Sequence, residues 1–128
     1  MEKIKKKIQK NVLGEQLEEC SDNPVTGWFR DGCCNTNKSD HGIHTVYARV
    51  NTKFLEWAKI AGNDLITPHT ELGFPGLKDG DSWCVCADTY ARSIETGNAC
   101  KIFLKKTNYK TLEIIPLEKL KQYAIDLS

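Results

Sequence analysis

Cysteine placement constrains this chain more than any other feature. Six cysteines fall in 128 residues, and four of them form two tight groups, Cys33-Cys34 and Cys84-Val85-Cys86. Thiols gathered this way mark a disulfide scaffold, a metal site, a reactive thiolate or a small apolar core. Local geometry disfavours bridges inside each group. Adjacent trans residues have alpha carbons about 3.8 Å apart, below the usual disulfide span of about 4.4–6.8 Å. Cys84 and Cys86, if on a strand, sit about 6.6 Å apart on one face. That is loose for a bridge and close enough to share a metal ion.

The compartment points the same way. Net charge is +1, so no overall field draws nucleic acid or an anionic membrane. No apolar run reaches the roughly 18 residues of a membrane span. Lys3, Lys5, Lys6, Lys7 and Lys10 crowd the first ten residues without a following apolar stretch, which is not the pattern of a secretory signal. The expectation is a cytoplasmic protein with a basic arm over residues 1–10 and one globular domain over 11–128. Structural disulfides are rare in that compartment.

Along the chain, Asn11-Val12-Leu13-Gly14 reads as a short strand. Residues 20–40 are rich in turn formers, broken by Trp28-Phe29-Arg30. His44 to Val50, dense in beta-branched and aromatic residues, predicts a strand. Asn51 or Thr52 can cap a helix to about Ala61, with Phe54, Leu55, Ala58 and Ala61 on one face and Gly62 as its stop. Residues 62–82 form a long irregular stretch, and such loops are often functional. Trp83 to Ala87 reads as a strand, followed by a helix capped by Asp88 or Thr89. Lys101–Lys106 and Leu112–Ile115 suggest a hairpin, and Pro116 opens a last helix. The order implies an α+β fold: a mixed or antiparallel sheet of about five strands, with two to three helices and long ordered loops.

Several runs resemble one family: Asn11-Val12-Leu13-Gly14, Gly27-Trp28-Phe29-Arg30-Asp31-Gly32-Cys33-Cys34, His44-Thr45-Val46, Gly62-Asn63-Asp64-Leu65, Phe74-Pro75-Gly76-Leu77 and Gly80-Asp81-Ser82-Trp83-Cys84-Val85-Cys86-Ala87. The chain is similar, from about Asn11 to Ala124, to domain of unknown function 2237, a set of small, mainly bacterial proteins. That resemblance implies no activity and carries over no catalytic residue. Tyr47 and Cys100 stand where the family commonly has other residues, which removes both as candidates for a shared site.

Three readings of the cysteines stay open. In the first, Cys34 on a glycine-preceded turn is a reactive thiolate, with His44 as base and Asp31 or Asp64 orienting it. Arg30, Asn63, Trp28 and Trp83 then line the ligand pocket, where the indoles can stack on a planar group. In the second, Cys34, His44, Cys84 and Cys86 hold a metal ion, with zinc the natural candidate for two or more thiolates and an imidazole. The third is a ligand- or protein-interaction domain in which the thiols only fill the core. Gly62-Asn63-Asp64 is either a polar cleft edge or a helix cap, and Asp79-Gly80-Asp81 reads as a turn. In every reading the partner is a small molecule or a protein of unspecified kind, with no nucleic acid and no membrane expected.

Overall fold

The computed structural model describes residues 9–19, Cys34, Thr36, Asp40 and 43–127. Its centre is strand β1 (His44–Arg49), flanked by β2 (Ser82–Cys86) and β3 (Lys101–Ile102) in a three-stranded sheet of order β2-β1-β3. Both pairings are antiparallel. Beta-branched and aromatic side chains at 44–50 suit a pleated, half-buried surface, and Val46, Tyr47 and Ala48 are buried as that pattern requires.

Helix α1 (Thr52–Ile60) starts where the sequence places it. The Asn51 side chain accepts from Phe54 N at 2.8 Å, a standard N-cap bond. Its buried stripe is Phe54, Leu55 and Ala58. Gly62, at φ 100°, provides the left-handed residue that ends it. Helix α2 (Ala87–Glu95) contacts both β1 and β2 and packs on α1. Tyr90 and Ser93 face inward from it. Helix α3 (Leu117–Lys121) begins after Pro116 and buries Leu120. None of the helices among the described residues is long and apolar enough to cross a membrane.

Five strands were expected, and three form among the described residues. Asn11–Leu13 makes a turn tied by isolated bridges, Lys10 to Gln16 and Asn11 to Asn108, because the Asn11 side chain accepts from Leu13 N and Glu15 N and bends the backbone. The hairpin expected over 101–115 keeps only β3. Beyond it, Asp126 accepts from Leu104 N and Lys105 N, and Asn108 accepts from Lys110 N. These side chains hold short 3-10 turns at Leu104–Lys106 and Tyr109–Glu113 in place of a ladder. The Trp28-Phe29-Arg30 stretch and most of the basic arm lie outside the described residues.

The main core comprises Val12, Val46, Ala48, Phe54, Leu55, Trp83, Val85, Tyr90, Ile102, Leu104, Ile115 and Leu120 with their neighbours. A smaller cluster of Cys34, Tyr47 and Cys84, joined by Phe103, lies on the opposite face of the sheet. Every buried side-chain nitrogen and oxygen among the described residues has a hydrogen-bond partner.

Candidate functional site

Cys34 and Cys84, 50 positions apart in sequence, form a disulfide with alpha carbons 5.5 Å apart. This corrects the reading of Cys34 as the reactive thiol, since a disulfide sulfur has no proton to lose and is no thiolate. It corrects the metal set as well. Cys34, His44, Cys84 and Cys86 cannot act together when two of the four sulfurs are bonded to each other. Among the described residues no group of three or more His, Cys, Asp or Glu is placed to hold a metal ion. Spacing arguments could not reach this bridge, because they weigh neighbours in sequence and these two are distant.

Among the described residues, Cys86 and Cys100 remain thiols. Cys100 is buried, and that burial pushes its thiol up to about 12. Tyr90 donates to the Cys100 carbonyl at 2.6 Å, and burial raises its hydroxyl strongly. Cys86 is different. It is partly exposed, it is the last residue of β2 and it is the N-cap of α2, with no capping hydrogen bond from its side chain.

The strand opposite brings His44 to it. Arg49, Ala48, Tyr47 and Val46 pair in order with Ser82, Trp83, Cys84 and Val85, and the next partner of Cys86 is His44. Thr45 is the extra residue of a β-bulge. In regular register it would stand across from Cys86, so the bulge is what re-aims β1 to put the imidazole there. Directly opposed residues have Cβ atoms about 4.5–5.5 Å apart. Thr45 itself turns inward, fully buried, with its hydroxyl 2.7 Å from that of Thr111.

His44 is oriented from behind. Its Nδ1 lies 2.6 Å from Asp40 Oδ1, and its backbone N–H donates to Asp40 Oδ2 at 2.9 Å. The Asp40 side chain is fully buried, while that of His44 is 37% exposed. A carboxylate accepting at Nδ1 fixes the tautomer whose lone pair sits on Nε2. Thr36 donates its hydroxyl to Asp40 Oδ2 at 3.0 Å. Gln9 clasps the Thr36 backbone from both sides, donating to its carbonyl at 2.9 Å and accepting from its N–H at 3.1 Å. Asn108 Nδ2 donates to the Cys34 carbonyl at 3.0 Å. Cys34 and Asp40 are thus tied to the sheet, the one by its covalent bond to Cys84 and the other by its bonds to His44.

A cavity of about 500 Å³ lies along β2, lined by His44, Cys84 and Cys86, by Trp83 and Val85, and by the loop residues Asn63, Asp64, Leu65, His69, Leu72 and Phe74. The loop is shaped locally. His69 bridges to Phe74, and Leu77 N donates to the Leu65 carbonyl at 2.8 Å. Gly76, at φ 80°, is required there, because a Cβ would overlap the Ile66 carbonyl oxygen. Asn63 reaches α2 through Thr89 Oγ1 at 3.2 Å.

Of the residues expected at the site, His44, Asn63, Asp64, Trp83, Cys84 and Cys86 line this one cavity. Cys34 is not among the lining residues, but it is bonded to Cys84, which is. Asp31, Arg30 and Trp28 lie outside the described residues. Asp64 does not orient His44, contrary to expectation. Its carboxylate accepts from Ile66 N at 2.9 Å, Thr67 N at 3.1 Å and Thr67 Oγ1 at 2.5 Å. Those bonds, the Thr67 hydroxyl first, hold it well below the usual carboxylate range, at about 2. Asp40 was missed, although it stands only four residues before His44. The apolar wall of Leu65, Leu72, Phe74 and Val85 was missed as well, since those residues read equally well as core.

No curated protein matches the chain. One family model, described as an uncharacterized protein conserved in bacteria, matches residues 10–124, and the chain therefore belongs to the DUF2237 family.

Proposed function

We propose that the protein is a thiolate enzyme in which Cys86 attacks an electrophilic carbon, His44 moves the proton and Asp40 positions His44. One observation carries this reading. The imidazole that Asp40 holds at 2.6 Å stands across the β1–β2 ladder from a cysteine that is not in a disulfide, and both open into the same cavity. The acid–base assistant and its orienting carboxylate follow the general logic of an activated nucleophile.

With a carbonyl substrate, His44 Nε2 takes the Cys86 thiol proton, and the thiolate adds to the carbonyl carbon. The tetrahedral oxyanion forms beside the start of α2, where the helix dipole favours negative charge. Collapse expels the leaving group, which takes the proton from His44 and leaves an acyl group on Cys86. Water, deprotonated by His44, then attacks that thioester and returns the thiol and a free acid. The same reading keeps the protein in the cytoplasm, with residues 11–128 as one domain, and the near-complete burial of both disulfide sulfurs supports survival of the bridge there.

Alkylation by iodoacetamide, read as the mass of each cysteine peptide, tests it in the intact protein. Cys86 is expected to react while Cys100 does not. His44→Ala should slow Cys86 by about tenfold or more near neutral pH, and Asp40→Asn should shift the pH profile of the reaction in the same protein. If His44→Ala leaves the Cys86 rate unchanged, the cavity binds without catalysing and the proposal fails.

A further inference from the structure

The cavity has a charge character that bears on what it admits. Its wall is apolar, with the rings of Phe74 and Trp83 5.1 Å apart at their centroids. No lysine or arginine is among the described residues that line it. Asp64, one of the lining residues, is pinned by three hydrogen bonds, so its charge neither swings away nor titrates at ordinary pH. Lys59 is the nearby cation that acts on Asp64, and it is not part of the lining. Asp40 adds a second carboxylate behind His44, fully buried.

Like charges beside a low-dielectric wall repel anions and concentrate cations. A space of about 500 Å³ suits a ligand of modest size held mainly by apolar contact. We infer that the electrophile taken by Cys86 is an apolar compound bearing a positive charge, an amine or guanidinium placed toward Asp64, and not a carboxylate or phosphate. The inference rests on Cys86 being the nucleophile. It adds a specificity role for Asp64 that is separate from the chemistry. The apolar body lies against Phe74 and Trp83, and the reacting carbon faces Cys86.

Two methanethiosulfonates of similar size test it, one ending in trimethylammonium and one in sulfonate. In each, the Cys86 thiolate attacks the divalent sulfur, a mixed disulfide forms and methanesulfinate leaves, so no outside oxidant is needed. Rates at the Cys86 peptide are measured by mass spectrometry on the intact protein. The cation-to-anion ratio is then compared with that of a small free thiol in the same buffer. At low salt the protein's ratio should exceed the reference by on the order of tenfold. Added salt should shrink the excess. Asp64→Asn should reduce it severalfold in protein whose circular dichroism is unchanged, and Asp64→Glu should restore part of it. A ratio equal to the reference, or one unmoved in folded Asp64→Asn protein, overturns the charge inference and leaves the nucleophile standing. If neither reagent modifies Cys86 in the native protein, the nucleophile itself is overturned, and the charge inference with it.

Discussion

On one face of the sheet, Val46, Ala48, Trp83 and Val85 meet the helices through apolar contact, and the cluster extends continuously to Phe54, Tyr90 and Leu120. On the other, Tyr47 and Cys84 stand over a disulfide, the Phe103 ring and a set of polar bonds. Tyr47 and Phe103 lie 5.6 Å apart at their centroids, with Arg49 and Lys106 over the Phe103 ring. The first face draws its stability from area removed from water. The second is fastened by a few directional links between residues far apart in sequence. The candidate catalytic pair, His44 and Cys86, opens into a cavity walled by both faces, by Cys84 of the second and by Phe74, Trp83 and Val85 of the first. A site needs geometry held from several directions, and specific bonds supply that better than a uniform apolar layer does.

The contrast can be broken at either side. Phe54→Ala, at a fully buried core position, should cost about 3–5 kcal/mol of folding stability. Chemical denaturation checks it, and the Cys86 alkylation rate below the transition should stay unchanged. Replacing Cys34 and Cys84 together by alanine should cost about 2–4 kcal/mol, since the bridge closes a long loop. Here the Cys86 rate should also fall, because the residues bearing Asp40 lose their covalent tether. A stability loss with no change in rate would show that the disulfide supports the fold alone. Asn108→Ala removes the donor to the Cys34 carbonyl and leaves a buried acceptor short of one partner, at about 1–2 kcal/mol by the same denaturation measurement.

The smallest effect concerns acid. Asp64 is depressed from 3.8 to about 2 in the folded chain by its bonds to Thr67 and Ile66. Its contribution is therefore present above pH 3.8 and lost as pH falls through about 2. The difference in denaturation midpoint between the protein and Asp64→Asn should be constant at higher pH and close across that window. A difference that persists below it would assign the effect to packing.

The two faces also differ in how far they could be read from sequence. Phe54, Leu55 and Ala58 recur at helical spacing, and Asn51 and Gly62 punctuate that helix, so α1 was legible nearly to the residue. The strands at 44–49 and 82–86 announced themselves by composition. The cavity's polar members, His44, Asn63, Asp64 and Cys86, stood out as the least ordinary residues of three segments. What stayed hidden is non-local. The Cys34–Cys84 bond depends on two segments meeting in space, and no periodicity encodes that. The strand expected at 11–14, and the hairpin of 101–106 with 112–115 beyond β3, were overridden by side chains of Asn11, Asn108 and Asp126 that bond the backbone in turns. That His44 pairs across the ladder with Cys86 follows from the bulge at Thr45, which composition does not signal.

That bulge makes the pairing of His44 with Cys86 depend on chain length at a single point. Deleting Thr45 would let the ladder run without interruption, and the residue brought across from the thiol would be decided by the slipped alignment. A family member one residue shorter between the counterparts of Asp40 and Val46 would keep an outwardly similar sheet and lose the vernier that matches imidazole to sulfur. Gaps at this position therefore offer a way to sort relatives by chemistry without reference to overall similarity.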